Sequence, residues 1–171
     1  LTLGDIEGGV GLYERAIALS PDDYRLFIFT RMAYVSLGWE LKAKEAAREG
    51  LLRAEKEIKA HPDNAAALCA AAVMLTYLGE TDRALSLASL AELFAGDSVA
   101  VQYNLGCCYA LLGQAERAIA CLEHVLAGTP TYVAARLPYM KIDSDLDSIR
   151  GHPRYLVLVS QMEAAITAAN S

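Results

Sequence analysis

Residues able to do chemistry are few in this chain, and their spacing argues against most sites. Cys69, Cys107, Cys108 and Cys121 form no C-x-x-C pair. His61, His124 and His152 are never four residues apart, so no helix face offers two of them to one metal ion. Small cysteines inside helical runs read as packing residues in a reducing compartment, and no metal or other cofactor is expected. The stretch Asp143-Ser-Asp145-Leu-Asp147 begins as a calcium loop does, with a carboxylate at every second position. It then departs from that chemistry. Ser148 stands where the turn needs glycine, and Arg154 stands where a bidentate glutamate would close the shell. These aspartates are expected to accept from free backbone N–H groups at a helix start. Gly4, Gly8, Gly9 and Gly11 invite a phosphate-loop reading, but no strand precedes them and the third glycine and acidic follower are missing. There is no strained serine elbow and no carboxylate pair anchored near a histidine. Carboxylates are expected at solvent-facing positions, catalytic residues are expected to be none, and no enzyme activity is expected in this segment.

The elements that hold these residues repeat. Residues 78–85 read Leu-Gly-Glu-Thr-Asp-Arg-Ala-Leu and residues 112–119 read Leu-Gly-Gln-Ala-Glu-Arg-Ala-Ile, an offset of 34. Leu37-Gly38 echoes Leu3-Gly4 at the same offset, while Gly38 to Gly79 and Pro21 to Pro62 are 41 apart, 34 plus seven. Two helical turns take about 7.2 residues, so seven extra residues lengthen a helix and nearly preserve its buried face. Small or apolar residues at 43, 47, 50, 51, 54 and 58 continue one stripe through that region. Glu49 with Arg53 and Glu55 with Lys59 make i,i+4 pairs on its wet side. One unbroken helix over 39–60 is predicted, overhanging its hairpin mate by about two turns.

This pattern resembles the tetratricopeptide repeat (TPR), a helix–turn–helix unit of 34 residues. The turn Leu-Gly falls at 3–4, 37–38, 78–79 and 112–113. Tyr34, Leu75 and Tyr109 precede it by three; Gly9, Ala43, Ala84 and Ala118 follow the glycine by five; Pro21, Pro62 and Pro130 close the units, with Gly96 substituting once. The resemblance implies an all-α fold, a right-handed α-solenoid of TPR hairpins with a C-terminal capping helix. Residues 1–130 would be the array, a half repeat plus three hairpins, and residues 131–171 the cap. Arg31 stands where the family has a tiny residue, so the hairpin of residues 22–60 is expected to splay. Thr129 should cap a helix with Pro130 at its first position, Pro138 should end or bend it, and a last helix should run from His152-Pro153 to about Ala168. Its apolar side would carry Tyr155, Leu156, Leu158, Val159, Met162 and Ile166.

A second resemblance lies in the tail. Asp143, Asp145, Asp147, Ile149, Arg150, His152, Pro153, Arg154 and Tyr155 are similar in type and spacing to the end of TPR regions in bacterial regulatory proteins. There the array follows a class III adenylate or guanylate cyclase, a kinase or a DNA-binding domain. The resemblance implies a cytoplasmic signalling protein's C-terminal arm. Because Leu3-Gly4 is a turn within a repeat and no Met starts the chain, a fragment of a longer protein is expected.

In TPR arrays the first helix of each hairpin lines a concave groove. Carried onto this register, the partner-binding residues are Ile28, Met32 and Val35, then Cys69, Val73 and Tyr77, then Tyr103, Asn104 and Cys107. The set is apolar, and Arg25 is the one base expected nearby, so a peptide or domain with apolar or aromatic side chains is the expected partner. The alternative is an autoregulatory or dimerising arm that contacts its own effector domain. Self-association through the N-terminal stub, whose apolar residues are Ile6, Val10, Leu12, Tyr13, Ile17 and Leu19, is also expected. The net charge is −6 and Lys and Arg do not cluster, which disfavours nucleic acid. The uncharged run 98–115 reaches the length of a membrane span, but Gln102, Asn104, Gly113 and Gln114 interrupt it, so a helix buried between neighbours is expected.

Overall fold

A computed structural model describes residues 6–169, with side chains from Gly8 onward. The Leu3-Gly4 turn and the side chain of Ile6 lie outside the described residues. The fold is all-α, a helical repeat, and no strand occurs among the described residues. The chain divides into two compact units, residues 1–94 and 95–171.

The first unit holds α1 (Ile6–Leu19), α2 (Tyr24–Ser36), α3 (Glu40–Ala60), α4 (Ala65–Leu78) and α5 (Thr81–Phe94). Successive helices pack in pairs, and α2 also touches α4. Every residue of α4 from Ala67 to Leu75 is buried. Small residues supply most of that surface, which lets three neighbouring helices approach one helix closely. The predicted long helix is continuous: α3 has 21 residues against 13 in α2, with Trp39 just before its first turn. Its buried stripe is Ala43, Ala46, Ala47, Gly50, Leu51 and Ala54. Arg53 donates to the carbonyl of Pro21 and Lys56 pairs with Asp22 at 3.2 Å, so this part of α3 reaches the turn before α2. Farther along, Glu57 accepts from the Asn64 amide at 2.9 Å, which ties the end of α3 to the start of α4.

The second unit holds α6 (Val99–Leu111), α7 (Ala115–Glu123), α8 (Pro130–Ile142) and α9 (Pro153–Ala169). A 3-10 turn at His124–Ala127 ends α7, and another at Ser144–Ile149 joins α8 to α9. Gly106 faces α7 so closely that an added Cβ would lie 2.6 Å from Leu122 Cγ. Only glycine permits this approach.

The repeat is visible in the backbone hydrogen bonds. Gly38, Gly79 and Gly113 take φ of +71°, +83° and +71°, the left-handed conformation that ends a helix. Each turn makes the same pair of bonds. Trp39 N donates to Tyr34 O, Glu80 N to Leu75 O and Gln114 N to Tyr109 O, at 2.8, 2.9 and 2.8 Å. Gly38, Gly79 and Gly113 N donate to Val35, Thr76 and Ala110 O. Helix starts recur in the same register at Asp23, Asn64 and Ser98.

Two local expectations need correction. Arg31 does not splay its hairpin: α2 packs on α3, and Arg31 is 1% exposed with its guanidinium 5.3 Å from the Tyr77 ring centre. The long stem packs as hydrocarbon and the charged end lies on an aromatic face. Of the two outcomes expected at Pro138, an end to the helix is not the one found: α8 continues for four residues beyond it. Pro138 and Ala134, whose carbonyl loses its partner to the ring, are both exposed, so water can replace the missing bond. The carbonyls after Pro138 are held in place: Met140 O accepts from Tyr155 Oη at 2.8 Å and from Arg150 Nη1 at 3.1 Å, and Lys141 O also accepts from Arg150.

Candidate functional site

The first helices of the hairpins carry the residues expected to meet a partner, and their exposure divides them. In the first unit Ile28, Cys69 and Val73 are buried, whereas Met32, Val35 and Tyr77 are half-buried. Tyr77 Oη donates to Glu40 Oε2 at 2.8 Å. Burial and that carboxylate raise its hydroxyl pKa to about 12, so it remains a neutral donor. In the second unit Tyr103 and Cys107 are buried, and Asn104 is half-buried. Five of the nine residues thus fill the interior, and Met32, Val35, Tyr77 and Asn104 keep a reachable surface.

The chemistry around Tyr103 is richer than an apolar lining. Its hydroxyl donates to Asp143 Oδ2 at 2.6 Å, and Cys107 Sγ lies 3.6 Å from the same oxygen. Burial first, then the nearby Cys107 and Asp143, push the Tyr103 hydroxyl far above its ordinary range. Asp143 Oδ1 accepts from the Asp145 backbone N–H at 3.0 Å, which caps the 3-10 turn. Asp143 and Asp145 are both 5% exposed, so the expectation that carboxylates sit in water is wrong for this pair. For Asp143 the Tyr103 hydroxyl and the Asp145 backbone N–H replace its hydration. The capping role expected for Asp143 is the one observed, and its oxygens are engaged within the fold.

The other residues of the tail pattern are also tied to the fold. Arg150 donates to the carbonyls of Met140, Lys141 and Asp143 and to Asp147 Oδ1. Arg154 bridges to Glu123 Oε2 at 2.6 Å and Glu116 Oε2 at 2.8 Å, linking α9 to α7. The hydrogen bond from Arg154 holds the Glu123 carboxyl below its ordinary range. On α9, Tyr155, Leu158 and Met162 are buried as the stripe requires, but Leu156 is exposed.

Arg25 is not the one base near these helices. It is engaged with Asp23 at 2.7 Å, at the start of α2. Arg31 lies over Tyr77 in the first unit. In the second unit the Arg136 guanidinium lies 4.5, 5.3 and 6.0 Å from the ring centres of Tyr103, Tyr132 and Tyr139. Sequence reasoning missed Arg136, although Tyr132, Arg136 and Tyr139 share one face of a helix by their i, i+4 and i+7 spacing. That spacing was the available signal.

The four cysteines are buried and none forms a disulfide among the described residues, in keeping with packing roles. Among the described residues, no group of three or more His, Cys, Asp or Glu is placed to hold a metal ion. No described helix is long and apolar enough to cross a membrane. Two shallow depressions of about 430 and 440 Å³ lie in the first unit, lined by residues of α3, the end of α4 and α5, such as Leu52, Glu55, Leu78 and Arg83. Both are on the second-helix side and include none of the nine expected residues.

Residues 99–128, spanning α6, α7 and the following 3-10 turn, match the tetratricopeptide repeat family. Such repeats generally mediate protein–protein interaction and are typically non-catalytic. No curated protein matches the chain.

Proposed function

We propose that this chain is a non-catalytic protein-interaction segment that receives a peptide or domain on the first helices of its hairpins. The observation that carries the reading is the recurrence of one hairpin geometry through Gly38, Gly79 and Gly113, together with the repeat match at 99–128. In the first unit the reachable contacts are Met32, Val35 and Tyr77; in the second, Asn104. The first unit thus supplies dispersion and one aromatic face, which suits a segment with apolar or aromatic side chains, and the second supplies, separately, one amide for a passing backbone. Photo-crosslinking in the native cell tests this. A benzophenone side chain at Val35 should capture a defined protein, and one at Leu41 on α3 should not. Capture at Leu41 with none at Val35 would overturn the assignment of the face. With the captured protein in hand, Tyr77→Ala should weaken binding by about 2 kcal/mol.

A second reading, self-association, draws on α1. Leu12 and Leu19 are exposed on α1 and Phe29 on α2, and Tyr13 stacks on Phe29 with ring centres 5.9 Å apart. A contact formed there would make this segment a dimerising arm of a larger signalling protein, of the cyclase-associated kind that the tail resembles.

A further inference from the structure

The second unit contains a guanidinium whose buried Nε finds no acceptor among the described residues. Arg136 projects from α8 among the rings of Tyr103, Tyr132 and Tyr139, at 4.5, 5.3 and 6.0 Å. Beside that Nε, the buried hydroxyl of Tyr132 likewise has no hydrogen-bond partner among the described residues. No ion pair forms with it among the described residues. The acid joined to the same Tyr103, Asp143, is already engaged by that hydroxyl and by the Asp145 N–H. The other bases at this end of α8 are occupied: Lys141 pairs with Glu163 at 2.6 Å, and Arg150 holds Asp147 and three carbonyls.

Five N–H groups in a planar fork call for acceptors, and a fork held by aromatic faces is oriented before any ligand arrives. A carboxylate matches that fork with two parallel, charge-assisted bonds. Its partial exclusion from water strengthens the attraction relative to a solvated surface pair. Tyr139 is 54% exposed beside Arg136, so the box is open on one side. Asn104, next to Tyr103 on α6, is half-buried and carries both a donor and an acceptor for a passing backbone.

We propose that Arg136, with Tyr132 and Tyr139 beside it, is an acid-reading site that takes the side-chain carboxylate of a Glu or Asp within a partner segment. This inference rests on the protein-binding reading and adds the chemistry of the partner: one acidic side chain presented to the second unit.

The probe is N-acetyl-glutamic acid α-amide, whose one charge is the side-chain carboxylate, titrated into the full chain at constant ionic strength. NMR follows the Arg136 Nε–H signal and the Tyr132 and Tyr139 ring signals up to about 100 mM, beyond the millimolar range in which so small a ligand binds. The expected result is a saturable shift of all three. The neutral glutamine analogue should give none, and N-acetyl-leucine, whose carboxylate is that of a chain terminus, should bind several-fold more weakly. Arg136→Gln should lower affinity about tenfold, read on the tyrosine signals. Arg136→Lys keeps the charge without the fork, serves if the glutamine variant does not fold, and should weaken binding about threefold. Absence of a saturable shift, tighter binding of N-acetyl-leucine, or equal affinity in wild type and the folded variant would overturn the proposal. Such a failure would leave the crosslinking outcome at Val35 untouched, so the two readings fail separately.

Discussion

At the scale of single residues, the fold is most exposed where a backbone approaches its neighbour or where a charge has one partner. Gly106 has no room for a methyl group, because a Cβ would lie 2.6 and 2.7 Å from Leu122 Cγ and Cδ2 and 3.2 Å from the Ala118 carbonyl. Gly106→Ala should therefore destabilise the second unit by about 1–3 kcal/mol in urea unfolding, through overpacking. Gly11 gives the opposite sign. It lies within α1, and nothing is within 4 Å of its added Cβ, so Gly11→Ala should stabilise by about 0.5–1 kcal/mol. Glu123 supplies a pH test. Its pKa is lowered from 4.5, first by the hydrogen bond from Arg154, so the folded state holds its proton less tightly than the unfolded chain. That contribution is complete above about pH 4.5 and is lost as the pH falls through the lowered value. Arg154→Gln should return the Glu123 titration, followed by carboxyl NMR, to its ordinary range. The stability gap between the variant and wild type should be largest above pH 4.5 and should shrink below it.

At the scale of elements, α8 and the turn after it show how tertiary bonds override local preference. Proline in a helix interior removes one backbone bond and crowds the preceding turn. Here the segment beyond Pro138 stays helical because Arg150 and Tyr155 hold its last carbonyls. Pro138→Ala restores an N–H for Ala134 O and should raise thermal stability, by roughly 1 kcal/mol once the greater freedom of the unfolded chain is deducted. Tyr155→Phe should undo part of that gain, since the Met140 carbonyl loses a donor. The 143–149 turn makes a second test. Its calcium-like spacing is used for capping, and the Asp143 oxygens already accept from Asp145 N and Tyr103 Oη. Millimolar calcium should leave the melting midpoint unchanged; a rise of several degrees at sub-millimolar calcium would refute the capping account.

At the scale of the whole chain, the fold was legible because the repeat is a backbone code. Leu-Gly turns, cap positions and the seven-residue insertion act through φ angles and helical phase, so their register carries directly into hydrogen bonds at Gly38, Gly79 and Gly113. The candidate site was less legible. The register gives the face of a helix, but whether Tyr103 is open or covered depends on Asp143 and Arg136, which come from later elements. Arg31 illustrates the same limit, since its burial relies on Tyr77 in α4. The remaining test concerns self-association. Leu19 is 86% exposed and Leu12 49% exposed on α1, and single exposed apolar residues are common, so what matters is whether they act together. If they form a contact between copies, sedimentation equilibrium should show a mass that rises with protein concentration. The sign of the salt dependence identifies the force. Copies of net charge −6 repel, and salt screens that repulsion while leaving apolar attraction intact. Association should therefore strengthen from low salt to about 0.5 M, whereas contacts made by ion pairs would weaken. Leu12→Gln with Leu19→Lys should abolish it, and Leu52→Gln on α3 should not. A chain that stays monomeric at high concentration and high salt would rule out the contact through α1.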